Sequence, residues 1–237
     1  MKLGDVDRDR LEAMAAAGEE VLECHRVLAK TKDNVVGEVL RGQGTFYEWN
    51  HYPKGDVYDH ETHSQYYYHA HPSGSRDIKE HGHFHTFLRP KGMPDAVAPA
   101  PLADLKLPDG ANDALSHLIA ISMDSAGFPL RLFTTNRWVT GEIWYTAGDV
   151  AAMLDNFLID HTRPSWPTNR WITGMLAMFY PQIVALLEER DAAVAKWQKK
   201  NAGDNAFEDR RLEVTSLLEV SLDKQMRAIE RALNGKG

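Results

Sequence analysis

The stretch Tyr66-Tyr67-Tyr68-His69-Ala70-His71, followed after a polar loop by His81-Gly82-His83-Phe84-His85-Thr86-Phe87-Leu88, decides the fold. Both arms are rich in aromatic and β-branched residues, and Pro72-Ser73-Gly74-Ser75-Arg76-Asp77 between them is a turn-forming run, so the segment reads as an antiparallel hairpin. Side chains alternate along a strand. His69 and His71 therefore share one face, as do His81, His83 and His85, while Tyr66, Tyr68, Ala70, Phe84 and Leu88 take the other. The apolar set packs on a core and the imidazoles project together from the opposite face. Opposed Cβ atoms on paired strands are about 4.5–5.5 Å apart, so four imidazoles at the corners of such a rectangle can point at one ion through bonds of about 2.0–2.2 Å. His81 and His85 are about 13 Å apart along the strand and cannot both reach it. His69, His71, His83 and His85 are the expected ligands, with His81 supporting them or facing water. A single strand histidine is usually a surface or hydrogen-bonded core residue. Two such pairs joined by a short loop are hard to explain that way, because crowded imidazoles repel once protonated.

Working outward, the 237-residue chain is long enough for a sizeable core, with 43% hydrophobic and 26% charged residues. A formal net charge of −7 argues against a nucleic-acid or anionic-membrane partner. No apolar run approaches a membrane span, and the first residues lack a secretory h-region. Cys24 is the only cysteine, which excludes an internal disulfide and cysteine-rich metal clusters. The cytoplasm is the expected compartment.

Asp7 is placed to cap a helix from about 7 to 31 with Leu11, Met14, Val21, His25 and Leu28 on one stripe; His25 and Cys24 read as packing residues. Val35–Leu40 and Thr45–Trp49 read as strands. The run from His51 to His63 reads as a polar loop whose Asp56, Asp59, His60, Glu61 and His63 lie beside the histidine hairpin. Residues 90 to 110 carry five prolines and read as an arm or lid. His117–Met123 and Phe128–Phe133, joined by Asp124-Ser125-Ala126-Gly127, form the clearest hairpin. His117 stands where it either completes a metal shell or caps the sheet. Thr134 to Thr146 offers donors and aromatic surface. Arg131, Arg137 and Trp138 are its substrate-binding candidates, against a plain strand with a structural Arg–Glu142 pair.

The remainder reads as helical: a capped helix from Thr146 to Leu158, a long helix over 168–200 kinked at Pro181, and a last helix whose stripe is Val214, Leu218, Leu222, Met226, Ile229 and Leu233. The expected fold is α+β in one domain over 1–237: a curved antiparallel sheet or small barrel over about 35–146, flanked by an N-terminal helix and a C-terminal helical part over about 147–234.

The motifs His51-Tyr52-Pro53-Lys54-Gly55-Asp56-Val57-Tyr58-Asp59, Gln65-Tyr66-Tyr67-Tyr68-His69-Ala70-His71 and Glu80-His81-Gly82-His83-Phe84-His85-Thr86-Phe87 resemble an uncharacterised bacterial family, a domain of unknown function. Thr134-Thr135-Asn136-Arg137-Trp138-Val139-Thr140-Gly141-Glu142 extends the likeness over most of the chain. It implies no activity and no ligands.

Imidazole donors suit Fe, Zn, Cu and Ni rather than Ca or Mg. A multi-histidine site with open positions activates oxygen at Fe(II) or generates hydroxide at Zn. The leading expectation is a metal-dependent enzyme, a mononuclear non-haem iron oxidoreductase acting on a small-molecule substrate, with Glu61, Tyr67 or Glu80 moving protons. The alternatives are a Cu, Ni or Zn binding or sensing protein without chemistry, and a module whose histidines bind a small ligand directly.

Overall fold

Asp7 accepts a hydrogen bond from the Arg10 N–H and starts helix α1 (Arg8–Ala29), which buries Leu11, Met14, Val21 and Leu28 along one side. The computed structural model that carries this helix describes residues 3–72, 79–102 and 105–235. Asn34 then caps a second helix, α2 (Val35–Leu40), by accepting from the Val36 and Gly37 N–H groups. The strand expected over these residues is corrected. Three valines, Val35, Val36 and Val39, are buried at helical spacing, and the cap with that burial outweighs their preference for strands. Thr45–Trp49 forms no strand either, because the chain turns at Gly44 and Trp49, both with positive φ.

Six strands follow among the described residues: β1 (Tyr52–Tyr58), β2 (Ser64–His69), β3 (Gly82–Leu88), β4 (Ser116–Met123), β5 (Pro129–Thr135) and β6 (Val214–Glu219). They form one open antiparallel sheet in chain order, not a closed barrel. The loop expected over His51–His63 is thus largely strand β1. Pro53 is tolerated because β1 lies at the sheet edge, and the pairing with β2 slips between Tyr52 and Val57, where Gly55 and Asp56 adopt φ of 86° and 59°. The turn expected over Pro72 to Asp77 lies, after Pro72, outside the described residues. The Asp124–Gly127 turn is as expected, with the Gly127 N–H donating to the Asp124 carbonyl.

The C-terminal part holds helices α3 (Arg137–Thr140), α4 (Ala147–Met153), α5 (Trp166–Met178), α6 (Tyr180–Lys200) and α7 (Leu222–Asn234). The single long helix expected over 168–200 is two, bent by 72° at Phe179. Pro181 sits in the first turn of α6, where its missing N–H leaves no bond unmade. Val214 and Leu218 belong to β6 rather than to the last helix. Their four-residue spacing imitates a helical stripe, but Leu217 and Leu218 are both exposed on the edge strand, and α7 starts only after Ser221. The proline-rich arm packs on the body, where the Ala100 N–H donates to the Trp144 carbonyl. No single helix among the described residues is long and apolar enough to cross a membrane.

Strand pairing sorts the sheet into rows. Tyr68, Phe84, Ile121 and Leu132 lie side by side across β2 to β5. They are fully buried in the main core, where the Phe84 and Trp171 ring centroids are 5.7 Å apart. The neighbouring rows point the other way. One runs His69, His83, Ser122, Arg131, Glu219, and the next runs Tyr67, His85, Ala120, Phe133, Leu217.

Gly82 lets β3 begin against β2. A Cβ there would stand 2.5 Å from the His69 carbonyl oxygen and 2.6 Å from the Tyr68 hydroxyl. Gly82→Ala should therefore push the two strands apart and lower stability by roughly 1–3 kcal/mol, read as a fall in Tm. An unchanged Tm would show that the strands have slack at this point.

Candidate metal centre

His69 closes β2 directly opposite His83 on β3, and His85 sits two residues further along the same face. The alternation predicted for the hairpin thus holds at these positions. Ligand atoms of His69, His83 and His85 lie within 4.8 Å of one another, and all three residues are buried. The Nε2 atoms of His69 and His83 are 2.7 Å apart. Two nitrogens bonded at about 2.0–2.1 Å to one tetrahedral ion stand about 3.3 Å apart, so a small ring rotation admits an ion between them.

The partners behind the rings set their protonation. Glu80 Oε1 is 3.0 Å from His83 Nδ1 and accepts its proton, which leaves Nε2 with its lone pair toward the cluster. Glu80 is itself held by the Ser122 hydroxyl at 2.6 Å and by Arg131 at 4.0 Å. Burial would raise its carboxyl, but the hydrogen bonds from His83 and Ser122 and the Arg131 charge hold it below the usual range. His85 Nδ1 is 3.0 Å from His117 Nε2, and His85 Nε2 is buried with no partner. For His85 to ligate through Nε2, its Nδ1–H donates to His117. His117, in turn, has its backbone N–H bound by Glu142 Oε2.

Burial pushes the His69 imidazolium down to about 2, aided by the nearby His83, and pushes His117 down to about 3. His85 is likewise lowered by burial and by its histidine neighbours. Glu142 is raised to about 7 by burial, against the pull of Arg190. Burial thus favours the neutral form of His69, His85 and His117, the form that metal ligation requires. The imidazole donors of His69, His83 and His85, with the Nε2 of His85 unpartnered, fit a transition ion.

His71 lies just past the end of β2, its ring centroid 5.0 Å from that of His69 and 5.2 Å from that of His83, outside the converging group. His81 leaves the shared face and bonds the Tyr68 hydroxyl at 2.6 Å. Tyr67 is beside the cluster, 5.5 Å from His69 and 5.2 Å from His85 by ring centroids, with its phenol raised by burial. Glu61 is exposed in the turn before β2, and the roughly 16 Å length of β2 lies between that turn and His69. Asp59 serves that turn, accepting from the Glu61, Thr62 and Asp160 N–H groups. His63 bonds the Tyr58 hydroxyl, and Asp56 holds His51 and Gln65. The polar residues before β2 therefore stabilise their own turn.

Of the substrate-binding candidates, Arg131 lines the cavity beside the histidines. Arg137 instead pairs with Glu208, and the Trp138 indole donates to the Leu212 carbonyl. The Arg–Glu142 pair expected from the sequence is not formed with Arg137. His25 accepts from the Trp171 indole at 2.9 Å and stacks on Phe128, a satisfied packing residue, and burial raises the Cys24 thiol to about 11.

Sequence reasoning missed His51, which stacks on Tyr67 at 3.6 Å between centroids. It also missed Phe133, Val214 and Leu217 in the cavity wall, whereas Thr135 and Val139 fall within the candidate stretch from Thr134 to Thr146. A paired-strand reading of Val214-Thr215-Ser216 was the one available signal for that wall.

Replacing His83 or His85 with Ala should abolish stoichiometric metal binding, whereas His25→Ala should retain it; elemental analysis of each variant decides. The depressed histidines also set an acid response. Their folded values lie below the unfolded value near 6.5, so as pH falls through about 6.5 the unfolded chain takes up protons that the folded chain refuses. Stability of the metal-free protein should then fall by roughly 1.4 kcal/mol per pH unit for each of His69, His85 and His117. Urea midpoints at about pH 7.5 and about pH 5.5 measure it, and equal midpoints would contradict buried neutral rings.

No curated protein and no solved structure matches the chain. A family model does, over residues 15–220, and the chain therefore belongs to the family described as a domain of unknown function, DUF6969.

Proposed function

We propose that this protein is a mononuclear metal-dependent enzyme, with His69, His83 and His85 as ligands, Fe(II) as its resident ion and oxidation of a small molecule as its reaction. The carrying observation is His85 Nε2, a buried, unpartnered donor at a cavity of about 180 Å³ that His83 also lines. Three protein ligands on one side and a cavity on the other leave coordination positions for a substrate. When bound, Fe(II) supplies the one-electron and oxygen chemistry that protein side chains lack.

The chain's own groups have separate tasks. Glu80 holds the Nδ1 proton of His83, and His117 holds that of His85, so both rings keep their Nε2 lone pairs for the ion. Phe133, Val139, Val214 and Leu217 make one wall of the cavity apolar. Tyr67, beside both His69 and His85, is the nearest phenol able to hand a proton into the site.

A second reading rests on His71. Its ring is close enough to His69 and His83 that a rotation would bring in a fourth imidazole, closing the shell as in a Cu, Ni or Zn binding or sensing protein.

Reconstitution with Fe(II), Zn(II) and Cu(II), followed by elemental analysis and nitric oxide binding to the Fe(II) form, separates the two. The enzyme reading expects one Fe(II) per chain and a new nitrosyl absorption, with His71→Ala keeping its metal. A saturated Cu or Zn site that rejects nitric oxide and is lost in His71→Ala establishes the carrier instead.

A further inference from the structure

We propose that His51 is the entry ligand of the metal centre, an exposed imidazole that takes a divalent transition ion from water and passes it to His69. The inference rests on the metal-centre reading and adds a route for the ion, not a fourth member of the finished shell.

The triad needs such a route. His69, His83 and His85 are 8%, 4% and 1% exposed. An ion stripped of its water before it meets a ligand would face a large desolvation cost, so its waters must be exchanged for imidazoles one at a time. The first of those imidazoles has to stand at the surface. His71, next to His69 and His83, carries the Trp49 ring stacked on it at 4.4 Å between centroids. His51 stands toward the β1 edge of the sheet instead, and its side chain is 44% exposed.

Strand register puts His51 in line with the ligands. Tyr52 pairs with Tyr68, so His51, one residue earlier, comes next to His69 and extends the row of His69 and His83 to the sheet edge. The slip that follows sets residues 53–56 opposite Tyr67 alone. Over Tyr67 the His51 ring lies flat, 3.6 Å between centroids and 9° between planes. The same ring meets His69 edge to face, 5.8 Å away at 81°. It remains outside the converging group of three, which suits a ligand used in passage.

A chain of hydrogen bonds then orients the ring. Arg89 Nε donates to Gln65 Oε1 at 2.7 Å, and Gln65 Nε2 donates to Asp56 Oδ2 at 2.8 Å. The other oxygen of Asp56 is 3.1 Å from His51 Nδ1 and accepts its proton. Nε2 of His51 is left with its lone pair, and among the described residues no protein group takes it. A carboxylate behind an imidazole is how proteins fix the tautomer and direction of a metal ligand. An ordinary surface histidine rotates freely, whereas this one is held by a stacked ring on its face and a carboxylate on its edge. Its free nitrogen therefore meets an incoming ion with little further loss of entropy.

Co(II) uptake by the metal-free full chain should be followed by stopped-flow absorbance, and its release by chelator competition. An entry ligand lowers the barrier in both directions, so His51→Ala should slow uptake and release alike by about tenfold or more and leave Kd unchanged. His51→Phe keeps the stack on Tyr67 without the nitrogen and should behave as His51→Ala does. Asp56→Asn retains the imidazole but not the carboxylate behind it and should slow both rates less. Unchanged rates in His51→Ala and His51→Phe would mean that the ion enters by the cavity, and a weaker Kd with faster release would make His51 a permanent ligand; either overturns the proposal. Uptake that ignores His51 defeats this inference and leaves the metal centre standing, whereas a wild-type chain that takes up no Co(II) removes the centre and the inference together.

Discussion

The pairing of His69 with His83 across β2 and β3 is the constraint on which the rest of the centre depends. Strand side chains have a period of two, so a slip of one residue would turn the imidazoles into the core and bring Tyr68 and Phe84 out of it. The register is therefore enforced from the far side of the sheet. Tyr68, Phe84, Ile121 and Leu132 fill that side completely, and each aromatic or branched side chain buried there stabilises by about 1.5–3 kcal/mol. The histidine cluster and the core packing are two faces of one pairing.

Three buried histidines are costly unless they stay neutral. Two imidazolium charges about 4 Å apart repel by about 4 kcal/mol even at an effective dielectric of 20, and burial adds to that. The fold accordingly holds His69, His85 and His117 unprotonated, each depressed chiefly by burial. Neutral rings still need partners for their second nitrogens. Glu80 serves His83, and His117 serves His85, while Glu142 takes the backbone N–H of His117 rather than its ring. An ion on the facing lone pairs would satisfy the remaining buried nitrogen of His85, which the protein itself leaves without a partner.

The centre was legible in the sequence because its residues are local. A period of two over His83, Phe84 and His85, with a turn-rich run upstream, places side chains without any knowledge of the rest of the chain. The same logic found the β4–β5 hairpin and the Asp7 and Thr146 caps. It failed where burial by distant elements decides. Val35, Val36 and Val39 read as a strand and form a helix, because Asn34 caps them and the core covers them. Val214 and Leu218 read as a helical stripe and form an edge strand, because Thr134 on β5 supplies hydroxyl and backbone partners to Thr215 and Ser216. Propensity at such sites is weaker than tertiary contact.

That last strand explains why the ligands were visible and the cavity was not. β6 returns to the sheet after helices α3 to α6, nearly eighty residues beyond its partner β5. Its Val214 and Leu217 then face the same hollow as His83 and His85 on β3, with β4 and β5 between the two strands. The donor set is a product of one hairpin, while the wall that would select a substrate is assembled across the whole sheet. The apolar wall of the hollow therefore lies on β5 and β6 and helix α3 between them, on residues that no short motif links to the histidines.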